Sequence, residues 1–159
     1  LKELMGFKKD PTQQVSEGTI KQRPPVKSEI DTIMDKLIQV ESTNRHTEDG
    51  SILTSSAGAK GITQVMPHTG KTPGYGVSPL KNSTKEEYIR FAKDYLTAMK
   101  EKFGDMDKAL AAYNAGPGKV SRAIIRAERK GKDWKEFLPQ ETKDYIKKVS
   151  VKIGLYSFS

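Results

Sequence analysis

Between Ser28 and Val40 the apolar side chains fall at Ile30, Ile33, Met34, Leu37 and Ile38, the steps of one helical face. Ser28 is suited to cap the start of that helix, and the spacing predicts it through about Val40. The next step of the series is Glu41. At about 100° per residue it returns to within roughly 20° of Ile30, so a carboxylate stands where the pattern asks for a core residue. Thr84 and Glu87 have the spacing of a capping box. Behind them Tyr88, Phe91, Ala92, Tyr95, Leu96, Met99 and Phe103 form one stripe, closed by Gly104. A shorter helix over about Met106–Tyr113 runs into Asn114-Ala115-Gly116-Pro117-Gly118. Val120, Ala123, Ile124 and Ala127 mark another, stopped by Gly131; after Trp134, Phe137 and Leu138 a last helix from about Gln140 carries Tyr145, Val149 and Ile153.

Two stretches lack this periodicity. Residues 42–83 are rich in Gly, Ser, Thr, Asn and Pro, interrupted only by Gly61-Ile62-Thr63-Gln64-Val65-Met66-Pro67. A compact domain does not carry so long a connection without using it, which predicts functional loops or a small hairpin. Residues 1–27, punctuated by Asp10-Pro11, Gly18 and Arg23-Pro24-Pro25, read as a flexible N-terminal arm or linker. The expectation is a mainly α single domain over 28–159, with one elaborated loop region.

Composition narrows the chemistry. The 159 residues are 35% hydrophobic and 30% charged, enough apolar material for one core. No apolar run approaches the roughly 20 residues that span a bilayer, and no secretory leader pattern is visible. The absence of cysteine excludes disulfides, thiol nucleophiles and zinc–thiolate centres. His46 and His68 have no partner at metal spacing, so no metal is expected. The net charge of +8 attracts polyanions without saying which: nucleic acid, an anionic cell wall and acidic lipid all fit.

Glu41 is the first chemical candidate. A carboxyl pressed against an apolar face is disfavoured in its charged form, and a carboxyl held neutral near pH 6 can protonate a glycosidic oxygen. The same Glu at a helix end can instead reach solvent or pair with Arg45 at i+4. Asn114–Gly118 is either a ligand-approaching turn or an ordinary helix stop. Gln64 is either a hydrogen-bonding group for sugar hydroxyls or acetamido groups, or a surface amide. Lys119, Arg122, Arg126, Arg129, Lys130 and Lys132 form a basic run, either a nucleic-acid surface or a solvated helix face.

Four strings in order join these signals: Glu41-Ser42, then Gly58-Ala59-Lys60-Gly61-Ile62-Thr63-Gln64-Val65-Met66-Pro67, then Ala109-Leu110-Ala111-Ala112-Tyr113-Asn114-Ala115-Gly116-Pro117-Gly118, then Glu141-Thr142-Lys143-Asp144-Tyr145. Over about residues 28–153 the chain resembles the catalytic domain of the soluble lytic transglycosylases, which share the lysozyme-like fold with goose-type lysozyme. The resemblance implies Glu41 as the single catalytic acid and base. Ser42 would position Glu41 or the glycan. Gln64 and Met66 would line the glycan cleft, with Asn114, Ala115 and Gly116 as another wall supported by Tyr113. Tyr145 matches a tyrosine whose hydroxyl reaches the catalytic Glu. Thr63 departs from the family's Met at that position, which would remove apolar contact from the cleft floor.

The implied reaction cleaves the β-1,4 bond between N-acetylmuramic acid and N-acetylglucosamine in peptidoglycan without water, leaving 1,6-anhydromuramoyl ends. It implies no cofactor, and no nucleic-acid or transmembrane partner. A hydrolytic muramidase would need a second carboxylate roughly 6.5–9.5 Å from the first, for which Glu48 and Asp49 are candidates. A non-catalytic cell-wall binding module is the remaining alternative. The implied place of action is the bacterial periplasm and cell wall. Similar compact domains occur in bacteriophage virion proteins, secretion systems and periplasmic remodelling enzymes; domain size and the lack of a visible leader favour the virion.

Overall fold

The structure, a computed structural model, describes residues 28–152; the arm read from residues 1–27 and the position of Ile153 lie outside them. Six α-helices and one 3₁₀ turn are present among the described residues. The first helix, α1 (Glu29–Ser42), is capped by the Ser28 hydroxyl, which accepts from Asp31 N–H. Its buried residues are Ile33, Met34, Leu37, Ile38 and Ser42, as the spacing predicts, but it runs two residues beyond Val40, so Glu41 sits in its last turn. The chain then makes a minimal hairpin, β1 (Thr47–Glu48) against β2 (Ser51–Ile52), and single bridges from Thr54 to Lys60 and from Lys60 to Val65.

A short helix, α2 (Pro67–Lys71), follows, with Pro67 in its first turn. The alternation of Gly and polar residues around it hides it from periodicity. The long α3 (Lys85–Phe103) begins at Thr84, whose hydroxyl accepts from Glu87 N–H at 3.2 Å. The reciprocal half of the predicted capping box is not made. Glu87 bonds Lys81 N–H and Arg90, while Thr84 N–H donates to Asn82 Oδ1. This ties the 78–83 loop to α3, where Arg90 also donates to the Ser78 and Pro79 carbonyls.

Helix α4 (Met106–Ala115) is the centre of the fold, packed against α3, α5 (Pro117–Lys130) and α6 (Gln140–Lys152). Ala109, Leu110, Ala111 and Ala112 are all buried. Such a helix is apolar all round because it is surrounded, and its small side chains let three neighbours approach. Gly116 ends α4 at φ +97°, a conformation that only glycine takes without strain, and Pro117 opens α5 directly behind it. Past Gly131, the 3₁₀ turn Trp134–Phe137 packs on α5. Helix α6 returns against α1 and α4, burying Tyr145, Ile146 and Val149. The observed architecture is therefore the mainly α domain expected, with the loop region 43–83 laid against the α1–α3–α4 side.

Candidate active site

Two residues end α1 without glycine: Thr43 at φ 50° and Asn44 at φ 64°. Their N–H groups cap Gln39 and Ile38 carbonyls. A β-branched residue in the left-handed region costs about 1–2 kcal/mol, and that strain lies next to Glu41. Ser42 does not line a cleft. Its buried hydroxyl donates to Ile38 O and accepts from Arg45 N–H, so of the two roles expected of it, holding the Glu41 end of α1 is the one its bonds serve.

Glu41 opens into a groove of about 480 Å³. One wall is helical: Ala112, Tyr113, Asn114, Ala115, Gly116 and Pro117, with Phe91 and Tyr95 below and Glu141 at the edge. The other is mostly loop: Ser55, Ala57, Ala59, Gln64, Val65 and Met66, with Thr69 of α2. The residues the sequence pattern marked at four separate places thus meet around one carboxyl. Tyr145 stands behind Glu41 rather than on the groove surface.

The electrostatics of Glu41 follow from this seat. Burial lifts its carboxyl from the ordinary 4.5 to about 7; the Tyr145 hydroxyl pulls the other way and the charge of Glu141 adds to the rise. The negative end of the α1 dipole acts in the same direction as burial. The Tyr145 hydroxyl is fully buried and near enough to Glu41 to favour its carboxylate, yet it falls short of a formed hydrogen bond. Burial and Glu41 together hold the Tyr145 phenol well above its usual range, so it stays protonated and keeps an O–H to donate.

Arg45 does not pair with Glu41. It turns outward to Glu48 at 3.0 Å, both side chains being exposed. Glu48 and Asp49, the carboxylates considered for activating water, lie at the hairpin and do not line the groove. The second carboxylate on the groove is Glu141, which the sequence offered only as part of a motif.

The loop wall is fixed by a few specific bonds. The His46 ring accepts Ile62 N–H at Nδ1 (3.0 Å) and donates from Nε2 to Ser83 O (2.7 Å), which makes it the neutral Nε2–H tautomer and leaves no nitrogen for a metal. Gly61 packs against it so closely that a Cβ would lie 2.8 Å from His46 Cε1 and 2.9 Å from Tyr88 Cδ2. Gln64 takes φ 51° and its side-chain amide donates to Gly61 O at 2.9 Å. Met66 faces the groove, 43% exposed.

Thr63 is 0% exposed and points away from the groove. The expectation that it weakens the cleft floor is therefore corrected. Its hydroxyl donates to Tyr88 O, and its carbonyl accepts from Tyr113 Oη–H at 2.8 Å, the bond that joins the loop wall to α4. On the helical wall Thr142 donates to Asn114 Oδ1 at 2.8 Å, leaving the Asn114 amide N–H₂ as its free polar end. Aromatic packing missed from the sequence supports both walls. Tyr95 stacks on Phe91 (5.9 Å) and meets Tyr113 edge to face (6.2 Å). Phe91 and Tyr95 belong to the stripe that reads as core, because a helical stripe does not reveal which of its members borders an opening.

A groove with one desolvated carboxyl and hydrogen-bonding walls can hold an extended polar chain and hand it a proton. Comparison with known proteins agrees with that form. Residues 27–136 match the transglycosylase SLT domain. The membrane-bound lytic murein transglycosylase D of Escherichia coli K12 is 36% identical over 104 residues, which is 60% of this chain and 23% of that protein. The inactive Glu-to-Gln mutant of the lytic transglycosylase Slt from Pseudomonas aeruginosa superposes with a TM-score of 0.60 at 26% identity, over 80% of this chain and 21% of that one. The 70 kDa soluble lytic transglycosylase of Escherichia coli gives 0.63 at 24% identity, over 88% and 23%, a likeness of fold alone. The chain spans less than a quarter of the length of each of these relatives. With a family match over most of its length and the motif residues gathered at one groove, the chain belongs to the transglycosylase SLT domain family.

Proposed function

We propose that this domain is a peptidoglycan lytic transglycosylase that cleaves the N-acetylmuramic acid–β-1,4–N-acetylglucosamine bond without water. The observation that carries the reading is Glu41: a carboxyl with a pKa near 7, on a groove shaped for a chain, in a family named for this reaction. Two relatives are named lytic transglycosylases, one of them inactive when a glutamate becomes glutamine.

Protonated Glu41 donates its proton to the glycosidic oxygen as the C1–O bond breaks. N-acetylglucosamine leaves with a free hydroxyl, and positive charge develops at the muramoyl C1. The Glu41 carboxylate then takes the proton of the muramoyl C6 hydroxyl while that oxygen bonds C1. The product is a 1,6-anhydro ring and Glu41 is again protonated. A pKa near 7 suits both roles, since the group must give a proton and take one back at similar pH. The substrate's acetamido group assists at C1. Gln64 and the Asn114 amide hold the sugars from opposite walls, and the Tyr145 O–H steadies the carboxylate between the steps. No cofactor enters the reaction.

Glu141 favours one other reading. A second carboxylate on the same groove is what a hydrolytic muramidase requires to activate water. Mass spectrometry of soluble fragments from purified peptidoglycan separates the two. Fragments lighter by one water, absent with Glu41→Gln, support the transglycosylase. Reducing-end fragments of full hydrolytic mass, lost with Glu141→Gln, support the muramidase.

The setting we propose is the bacterial cell wall. A phage particle is the carrier that domain size favours, and detection of the chain in purified virions checks it.

A further inference from the structure

A second cleft, of about 530 Å³, lies between α5 and the 3₁₀ turn. Lys119, Arg122 and Arg126 line one side; Glu136, Phe137 and Pro139 are on the other. The three cations are exposed, and none forms an ion pair with a carboxylate among the described residues. The Arg126 guanidinium lies over the Phe137 ring, 4.9 Å from its centroid, which holds the cation at the cleft. Arg122 folds back along α5 toward Gly118, at the end nearest the groove. A solvated helix face does not need a stacked guanidinium beside two unpaired cations in a concave surface.

The same two chain segments build both clefts. Residues 114–117 border the Glu41 groove and 119–126 the basic cleft; Glu141 borders the first and 136–139 the second. A chain leaving the groove past Gly116 and Pro117 therefore meets Lys119 and Arg122 first. From Lys119 to Arg126 the helix rises about 10 Å, the length of about three residues of extended peptide.

We propose that this cleft binds the carboxylates of the peptide carried by the muramoyl residue, so that the domain reads the stem peptide as well as the glycan. The proposal rests on the peptidoglycan reading of the Glu41 groove. Charge and length both fit a short acidic peptide, and a guanidinium fork is the donor that grips a carboxylate bidentately. An extended nucleic acid would need a longer basic track than one concave site of this size.

The test measures equilibrium binding to the catalytically silent Glu41→Gln protein, at low salt, with soluble uncross-linked glycan strands in three forms: stem carboxylates free, stem carboxylates amidated, and peptides removed by an amidase. Free-acid strands are expected to bind about ten-fold more tightly than the other two, the scale of one charge-assisted contact. Adding Arg122→Gln and Arg126→Gln erases that preference. In the same background Arg126→Lys, which keeps a cation over Phe137 but loses the fork, reduces it several-fold. Equal affinity for the three strands overturns the proposal, as does full preference retained in both variants. Tighter binding of a single-stranded oligonucleotide than of free-acid strands, abolished by the double variant, also overturns it and assigns the cleft to nucleic acid. Failure of the glycan reading shows differently: the protein then binds none of the strands, and the wild type cleaves none.

Discussion

The two walls of the groove differ in what holds them. The helical wall belongs to α4, whose Ala109, Leu110, Ala111 and Ala112 are buried among three other helices, so its position is shared among many apolar contacts. The loop wall has little secondary structure: it sinks only Ile62 and Val65 into the core, and the rest is held by isolated backbone bonds and by side-chain bonds from His46 to Ile62 and Ser83, Gln64 to Gly61 and Thr63 to Tyr88. The Tyr113–Thr63 hydrogen bond joins the two directly. Dispersed apolar packing tolerates small changes, because each contact contributes little. A wall pinned at a few points fails when one pin is removed. Glu41 sits at the junction, at the end of a helix and facing the loop.

The largest expected effect removes the group both walls serve. Glu41→Gln should lower turnover of peptidoglycan by about a thousand-fold, within the range of a lost general acid–base, as followed by release of soluble fragments. It should also raise stability at alkaline pH. Below pH 4.5 the Glu41 carboxyl is protonated in folded and unfolded chains alike. Between 4.5 and about 7 the unfolded chain releases the proton while the fold retains it, so stability falls as pH rises. Above about 7 the fold carries a buried charge, at a cost of up to about 3 kcal/mol. Thermal melts from pH 4 to 8 should show that slope in the wild type and not in Glu41→Gln.

The next prediction breaks the loop wall alone. Gly61→Ala puts a Cβ against His46 and Tyr88 at a φ of +75° and should destabilise by about 2–4 kcal/mol, read as a fall in the denaturation midpoint. A one-carbon change within the helical wall, Ala115→Gly, should cost about 1 kcal/mol or less. Comparable losses at the two positions would remove the contrast between the walls. Tyr113→Phe cuts the bond between them and should cost about 1–2 kcal/mol, with KM rising more than kcat falls, because the walls then hold the chain less firmly.

Smaller effects sharpen the account of Glu41. Tyr145→Phe removes the hydroxyl that lowers its pKa, so the alkaline limb of the pH–rate profile should move to higher pH. Glu141→Gln removes the charge that raises it, so the limb should move to lower pH. Shifts in the same direction would contradict the arrangement. Smallest of all, Glu48→Gln with Asp49→Asn should leave turnover unchanged, since the hairpin lies off the groove.

Much of this was legible in the chain. The stripe from Ile30 to Ile38 placed α1 and exposed Glu41 as the misfit on its face, and the Tyr88–Met99 stripe placed α3. Periodicity reports what a helix buries, so it worked wherever burial repeats. It said nothing of α2, too short to show a repeat. The family resemblance, not periodicity, puts Thr63 on the cleft floor in place of a Met, whereas it is fully buried with its hydroxyl on Tyr88 O. The motif strings name Gln64, Met66, Asn114 and Glu41, which the structure brings to one groove, but Glu141 has no role until α6 is placed beside them.

By itself, then, the sequence determined the five longer helices, the excluded chemistries and the one carboxyl at odds with its face, because those follow from residue type and spacing along a single chain. Only the tertiary structure decided that Glu41 is desolvated rather than paired with Arg45, that Glu141 and not Glu48 shares its groove, and that Arg122 and Arg126 border a cleft beside it. Those outcomes depend on which distant segments exclude water from a charge or bring a second one near, and spacing along the chain carries no information about either.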